Sequence, residues 1–326
     1  MIKRKGVFTM KKFTKIIGCI LAVLLLAGCA SSPKADKETQ ATQKDDGIMN
    51  ILLIGNSSCY YWTDELWGLL DAAGYEEVNV YNLYYSGATL EQHYNWWKNG
   101  EGACELICVN AQGRNSMKGI RLVDALSLQD WDNISFLQAS KYYLGNFEDA
   151  MASVTPYFGE LLDFVKEKAP NAKIFWQESW ASEFGYVRAD FTMDTLEKQE
   201  TMASMIQQVS AKVSETYGLP VVPISSIWQS VRNEAVFAQP GENSGMEKFT
   251  LCTRLNGGKL MDDFDHDGDV GGGQYLNACA FYEAFTGKDC RENAFRPQYT
   301  YMNMDYSLTE EEISALQNAA HTGVNG

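Results

Sequence analysis

A serine stands in a short turn directly after a mostly apolar segment near the start of the chain. The segment Asn50–Ile54 predicts a strand buried on both faces, and Gly55, Asn56 and Ser57 follow it at once. A strand, a tight glycine turn and a helix together expose a reactive side chain at the carboxyl edge of an α/β sheet. Ser57 is therefore a candidate nucleophile. Serines in this position also cap helices, so a capping role for Ser57 or Ser58 is the alternative.

A second group of residues with catalytic potential lies in the sequence DDFDHDGDVGGGQY, residues 262–275. Asp263 and His266 are three residues apart, so a turn can direct both side chains the same way. A carboxylate beside an imidazole fixes the tautomer of the ring and stabilises its protonated form, and the ring can then accept a proton from a serine hydroxyl. Asp263 and His266 are therefore the candidate partners of Ser57. Such a mechanism needs no cofactor and no metal.

The same segment also fits interpretations without catalysis. A histidine among aspartates is commonly a polar loop residue. Asp263, Asp265, Asp267 and Gly268 match the start of a calcium loop, but Gln274 occupies the position where such a loop needs a bidentate glutamate. A calcium-stabilised adhesion module is therefore an alternative, and calcium could also coexist with catalysis.

The other histidines and the cysteines are weaker candidates. His93 falls on a predicted helix and is expected to be exposed, and His321 lies in the C-terminal tail. Cys59 is expected to be a small buried residue of the first helix. A zinc site is disfavoured because none of the eight cysteines form a Cys-x-x-Cys pair and the chain has only three histidines. Disulfides Cys104–Cys108 and Cys279–Cys290 are compatible with an oxidising compartment.

The N-terminus has the features of a bacterial lipoprotein signal. Six basic residues precede the apolar run Ile16–Ala27, which is too short for a membrane span. The following Gly28 and Cys29 complete a lipobox-like sequence, which predicts cleavage before Cys29 and lipidation of its thiol. Residues 29–48 are polar and predict a flexible tether, so the folded domain is expected to cover 49–326. The protein is therefore expected outside the cytoplasm, anchored to a membrane through lipid on Cys29.

The charge of the chain restricts its partners. Loss of residues 1–28 removes six basic and no acidic residues, so the formal charge falls from −15 to −21. Such an acidic surface argues against nucleic acid and polyanionic substrates.

Five short apolar segments alternate with helical patterns along the rest of the chain. This alternation predicts one α/β domain, a three-layer sandwich with a five-stranded, mainly parallel sheet. Residues 106–109 are a further, ambiguous strand. The five predicted strands are 50–54, 78–83, 134–137, 173–176 and 221–224.

These motifs together resemble those of the SGNH (GDSL-like) hydrolase superfamily, in particular bacterial lipoproteins whose first block is Gly-Asn-Ser. The resemblance implies a flavodoxin-like fold, Ser57 as nucleophile, and Asp263 and His266 as the closing Asp-x-x-His pair. It also implies an oxyanion hole formed by the Ser57 N–H, Gly87 of YYSGATLEQH and a side chain after the third strand. This chain has Gln138 in LQASKYY at that position, where the family usually has asparagine.

The expected activity is hydrolysis of an acyl ester, with acetyl as the leading acyl group. Many aromatic residues fall near the predicted strand ends, and aromatic rings stack on sugars, so an acylated carbohydrate is the favoured substrate over other small esters. A catalytically silent, glycan-binding surface lipoprotein of the same fold is the alternative. About two-thirds of these rings are expected to be buried in the core, and the glycan hypothesis loses its support if none of them lines the crevice beside Ser57. The rings are Tyr60, Tyr61, Trp62, Tyr84, Tyr85, Trp96, Trp97, Tyr142, Tyr143, Trp176 and Trp180.

Overall fold

The central strand, β1 (Ile48–Gly55), is buried on both faces, as its sequence predicts. Its side chains alternate between two core clusters: Met49, Ile51 and Leu53 belong to one, and Leu52 and Ile54 to the other. Helices must therefore cover both faces of the sheet. The computed structural model describes residues 47–182, 187–188, 191–232, 234–237, 272–298, 300–301, 304–305 and 308–326.

The main sheet has seven strands in the order β4-β3-β2-β1-β5-β6-β7 within the described residues. Five of them, β2-β1-β5-β6-β7, pair in parallel in the flavodoxin-like order, and β3 and β4 extend the β2 edge as an antiparallel hairpin. The strands are β1, β2 (Glu77–Tyr84), β3 (Cys104–Asn110), β4 (Gly113–Ile120), β5 (Asn133–Leu137), β6 (Lys173–Gln177) and β7 (Val221–Val222).

The predicted α/β class with a mainly parallel sheet is confirmed, but the count of five strands is wrong for the whole sheet. The five predicted strands are the five parallel ones. The ambiguous segment is β3, and β4 was not predicted. Seven of the eight residues of β4 are exposed, so its sequence has no apolar alternation that would mark a strand.

Helices cover the sheet in two layers. One core cluster packs α1, α7, α8 and α9 against one face of the sheet, and the other packs α2 to α6 against the opposite face. The helices are α1 (Thr63–Ala72), α2 (Leu90–Asn99), α3 (Leu122–Leu126), α4 (Phe147–Ala152), α5 (Thr155–Lys168), α6 (Leu196–Tyr217), α7 (Ile224–Val231), α8 (Gly272–Thr286) and α9 (Glu310–Asn325).

Short 3-10 helices and two-residue strand pairs connect these elements. The 3-10 helices are Ser57–Cys59, Ser140–Leu144, Ala235–Phe237 and Cys290–Glu292, and the strand pairs are Val187–Arg188 with Phe191–Thr192 and Thr300–Tyr301 with Met304–Asp305. No helix in the described part of the chain is both long and apolar enough to cross a membrane.

The positions of the cysteines test the disulfides that are possible from sequence. Cys104 and Cys108 are four residues apart on β3, which places their Cα atoms about 13 Å from each other. A disulfide cannot span that distance, so this possible pair is excluded. The described cysteines, which also include Cys59, Cys279 and Cys290, are buried thiols.

Candidate active site

Ser57 lies on a tight turn at the carboxyl end of the central strand. β1 ends at Gly55, and Ser57 begins the 3-10 helix Ser57–Cys59. Gly55 is needed there because a Cβ atom would come within 2.7 Å of the Cys59 sulfur. Ser57 is half-buried, and its hydroxyl has no hydrogen-bond partner among the described residues. The side chain is thus placed at the sheet edge without a structural bond of its own.

Cys59, the other nucleophilic side chain of this turn, is buried and inactive. Its thiol donates a hydrogen bond to Gln177 Oε1 at 3.3 Å. Burial raises the pKa of Cys59 to about 12, so the thiol stays protonated at neutral pH. This agrees with the structural role predicted for it.

A second turn, carrying Gly87, follows the neighbouring strand. β2 ends at Tyr84, the register partner of Gly55. The Ala88 N–H donates to the Tyr85 carbonyl at 3.0 Å, and Gly87 has φ of 64° in this turn. A side chain at Gly87 would have open space, so glycine is favoured there by its conformation. The turn is exposed on the same edge of the sheet as Ser57.

Asn56 joins the two turns through its side chain. Its Oδ1 accepts the Ser58 N–H at 3.0 Å, and its Nδ2 donates to the Ala88 carbonyl at 3.0 Å. An aspartate could accept the first bond but could not donate the second. The Asn56 amide thus has a definite structural use in this chain.

Gln138 is fully buried directly after β5, and its amide is saturated. Its Oε1 accepts the backbone N–H groups of Leu90 at 3.2 Å and Ala139 at 2.8 Å. Its Nε2 donates to the carbonyl and the hydroxyl of Ser153, at 2.9 and 3.0 Å. Both N–H bonds are therefore used internally, and this geometry does not fit the predicted role of Gln138 as an oxyanion donor. Gln138 instead connects β5 to the start of α2.

His93 is buried, contrary to the exposed position expected for it. Only 3% of its surface is exposed, and its Nε2 lies 3.0 Å from the Gly55 carbonyl oxygen. Burial lowers the pKa of His93 to about 4, so the ring is neutral at physiological pH. The spacing of three residues from Leu90, which is also buried, is the sequence signal that places His93 on the inner face of α2.

Asp263 and His266 lie outside the described residues, as do Asp265 and Asp267 of the alternative calcium loop. The predicted base and its carboxylate partner therefore stay predictions. Gln274, the twelfth position of that loop, is buried within α8.

A buried carboxyl group, that of Glu178, lies at the same carboxyl edge of the sheet. It follows β6 and accepts the Ser225 N–H, in the first turn of α7, at 2.9 Å. Burial outweighs this and its other hydrogen bonds and raises the pKa of Glu178 to about 7. Its bonds to the helix terminus give it a capping role.

Four aromatic side chains line the two turns and remain partly exposed; we call Tyr60, Tyr84, Tyr85 and Trp96 the aromatic rim. Tyr60 and Tyr84 have ring centroids 5.5 Å apart, and Tyr85 and Trp96 4.9 Å apart. The Arg114 guanidinium lies 4.5 Å above the Tyr60 ring. Fewer of the eleven aromatic rings near the predicted strand ends lie in the core than expected. The buried ones are Tyr61, Trp62, Tyr143, Trp176 and Trp180.

A cavity of about 210 Å³ lies elsewhere, between α6 and α7. Gln199, Ala203, Gln229 and Arg232 are among its lining residues, and no lining residue belongs to the turns of Ser57 or Gly87. The candidate site is therefore the open sheet edge and not this cavity.

Comparison with known protein families identifies the family to which the chain belongs. Residues 50–245 match the model of a family described as Domain of unknown function (DUF4886), which is more than half of the sequence. The chain belongs to the DUF4886 family. No curated protein matches it.

A solved structure from the same family shares the fold of this DUF4886 protein, and two other solved structures are less similar to it. A DUF4886 family protein from Bacteroides uniformis is 21% identical, with a TM-score of 0.65 over 85% of this chain and 95% of that one. A proposed GDSL-like lipase from Parabacteroides merdae is 18% identical, with a TM-score of 0.44 over 73% of this chain and 95% of that one. A proposed SGNH hydrolase from Slackia heliotrinireducens is 17% identical, with a TM-score of 0.37 over 60% and 88%.

Proposed function

We propose that this DUF4886 protein is a serine ester hydrolase with Ser57 as its nucleophile. The observation that carries the proposal is the half-buried Ser57 hydroxyl, unbonded within the described residues, on a tight turn beside the Gly87 turn. A structural serine would be expected to use its hydroxyl as a cap. Here Asn56 caps the 3-10 helix instead, which leaves Ser57 available.

The proposed mechanism is acyl transfer to water. His266, oriented by Asp263, takes the Ser57 proton while the Ser57 oxygen attacks the ester carbonyl carbon. The alcohol leaves with that proton, and water then hydrolyses the acyl-enzyme by the same route. The backbone N–H groups of Ser57 and Gly87 are the proposed oxyanion donors, and one such donor is typically worth about 3–4 kcal/mol of barrier.

The deciding experiment measures hydrolysis of a chromogenic acetate ester by the wild type and by Ser57→Ala. Ser58→Ala is the matched control, since it removes a hydroxyl from the next residue. We expect Ser57→Ala to abolish activity, with a loss of at least about 10³-fold, and Ser58→Ala to retain it. Equal activity in Ser57→Ala would exclude Ser57 as the nucleophile. Activity lost with EDTA and restored by calcium would favour a calcium requirement at residues 263–268.

The proposed substrate is an acylated, in particular acetylated, carbohydrate. The aromatic rim supports this substrate, because partly exposed rings beside both turns can stack on a sugar face. Tyr85→Ala is expected to raise KM for an acetylated oligosaccharide and to leave KM for a small acetate ester unchanged. Glycan binding without hydrolysis, in a folded wild type, would instead favour a silent binding protein.

We also propose that the mature protein is anchored through lipid on Cys29 after removal of residues 1–28. The lipobox-like sequence supports this proposal. In a bacterial host, metabolic labelling with a fatty-acid analogue should mark the wild type and leave Cys29→Ser unlabelled. Label on Cys29→Ser would contradict the assignment.

A further inference from the structure

His93 connects the helix after the Gly87 turn to the strand before Ser57. A carbonyl oxygen only accepts hydrogen bonds, so the 3.0 Å contact with Gly55 makes Nε2 the protonated nitrogen of the ring. The lone pair of Nδ1 then faces the Cys104 sulfur, 3.9 Å away. The Trp96 ring packs edge-to-face on the imidazole, with centroids 5.5 Å apart. The ring is therefore fixed in position and in tautomer.

The acceptor of this bond lies close to the proposed chemistry. The Gly55 carbonyl belongs to the planar peptide that immediately precedes the one bearing the Ser57 N–H, so holding the carbonyl restricts the rotation of the chain into Ser57. The Gly55 backbone is also packed tightly, since a Cβ atom there would meet Leu137 at 3.1 Å. The His93 bond thus acts on the turn at a point where little movement is available.

The donor is equally well placed with respect to the other turn. His93 lies on α2, which begins at Leu90 with a capping box formed by Thr89 and Gln92, directly after Gly87 and Ala88. Asn56 already joins Ala88 to the Ser57 turn. Two hydrogen bonds in different directions therefore connect the elements that carry the two proposed oxyanion donors. A neutral ring suits this position, because burial disfavours a charge there.

We propose that His93 is a positioning residue that holds the Ser57 and Gly87 turns in the mutual geometry needed to bind an oxyanion. The inference rests on the proposed function of Ser57. His93 contributes to oxyanion binding only by holding this geometry, because its ring is buried and its N–H donates to the Gly55 carbonyl. Loss of the bond should then affect the transition state more than the substrate complex.

The test compares His93→Leu, which lacks a donor, with His93→Gln, which keeps an N–H. Trp97→Leu is the matched control. Trp97 lies on the same helix as His93 but packs against α5, where its ring centroid is 4.7 Å from that of Phe164. With a chromogenic acetate ester, we expect His93→Leu to lower kcat by about 10²-fold with KM nearly unchanged, as small misplacements do. His93→Gln should recover most of kcat, and Trp97→Leu should keep it despite a lower Tm.

A second measurement separates this inference from the proposed function. Unchanged kcat in His93→Leu, or a loss of kcat shared by Trp97→Leu at equal Tm loss, would overturn the positioning role. If the wild type shows no Ser57-dependent hydrolysis, the proposed function fails, and amide hydrogen exchange decides the inference alone. Faster exchange in His93→Leu within both 55–60 and 85–90, and not in Trp97→Leu, supports the connection. Unchanged exchange in either segment overturns it.

Discussion

Two regions of the molecule are held by polar side chains of opposite character. At the sheet edge, the edge network of Asn56, His93 and Gln138 is buried and makes neutral hydrogen bonds to backbone groups. At the C-terminal end, a cluster of acidic and basic side chains joins α8 to α9. We call this group, Glu283, Asp289, Arg291 and His321, the C-terminal clamp.

The C-terminal clamp combines a partly exposed ion pair, Asp289 with Arg291, and a buried carboxyl group, Glu283. His321 Nδ1 lies 3.1 Å from Glu283 Oε2 and 3.5 Å from Asp289 Oδ1, and Arg291 pairs with Asp289 at 2.6 Å. The Arg291 guanidinium lowers the pKa of Asp289 to about 2. The Arg291 and His321 side chains are 42% and 28% exposed, so water and salt screen these attractions.

The carboxylates of the clamp are also satisfied without a metal ion. Donor atoms of Glu283, Asp289 and Cys290 lie within 4.8 Å of one another, which is compatible with a cation. Glu283 Oε1, however, accepts the Cys290 N–H at 2.9 Å, and Asp289 accepts the backbone N–H of Arg291 and the Nε and Nη2 groups of its guanidinium. The two regions therefore differ in their bonds: the edge network uses buried neutral hydrogen bonds, and the C-terminal clamp includes a partly exposed ion pair.

The largest effect should follow removal of the most connected residue of the edge network. Gln138→Leu keeps a similar volume and removes the partner of two backbone N–H groups and of the Ser153 carbonyl, whereas the Ser153 hydroxyl keeps its bond to the Ala150 carbonyl. With about 1–3 kcal/mol for each buried unsatisfied group, the free energy of unfolding should fall by about 3–9 kcal/mol. Urea denaturation measures this, with the exposed Gln208→Leu as control. A loss similar to that of the control would contradict the role of Gln138.

Glu178 should show how much a buried charge at this edge of the sheet lowers the free energy of unfolding. Glu178 has its pKa raised from 4.5 to about 7, so between these values the folded state binds the proton more tightly than the unfolded state. Its contribution to stability is complete below pH 4.5 and is lost as pH rises through 7, which amounts to about 3 kcal/mol. Glu178→Gln should remove this pH dependence, as followed by urea denaturation across that range. An unchanged profile, matching that of exposed Glu197→Gln, would refute it.

The next largest loss of stability should follow when a charge is placed within the edge network. Asn56→Asp keeps the acceptor for Ser58 but loses the donor to the Ala88 carbonyl. We expect a loss of about 2 kcal/mol in the free energy of unfolding, from one buried unsatisfied acceptor. Asn56→Ser is the comparison variant, because it retains a short side-chain acceptor without a charge. A more stable Asn56→Asp would show that the neutral character of the network is unimportant.

The residues that could be predicted from sequence are those whose neighbours along the chain define their environment. β1 and the Ser57 turn follow from an apolar run and a glycine. The bonds of Gln138 could not be predicted, because its partners Leu90 and Ser153 come from distant segments. The polarity of His93 favours an exposed position, whereas its spacing of three residues from Leu90 places it on the buried face of α2.

Local sequence signals also determine where helices begin. Residues 147–168 are divided into α4 and α5, with Pro156 in the first turn of α5, where proline is favoured. The capping pair of α9 is Thr309 with Glu312. Capping patterns indicate that a helix starts, and tertiary packing selects the residue.

The smallest effect should come from the C-terminal clamp. Asp289→Asn removes the pair with Arg291, which is partly exposed, so the free energy of unfolding should fall by less than about 1 kcal/mol at low salt. Because the pKa of Asp289 is lowered, this contribution is present above pH 4 and lost as pH falls through 2. Urea denaturation at low salt and at about 1 M sodium chloride should show the loss disappearing with salt. The loss in Gln138→Leu should persist at both. A salt-independent effect in Asp289→Asn would mean that the clamp, like the edge network, acts through desolvated bonds.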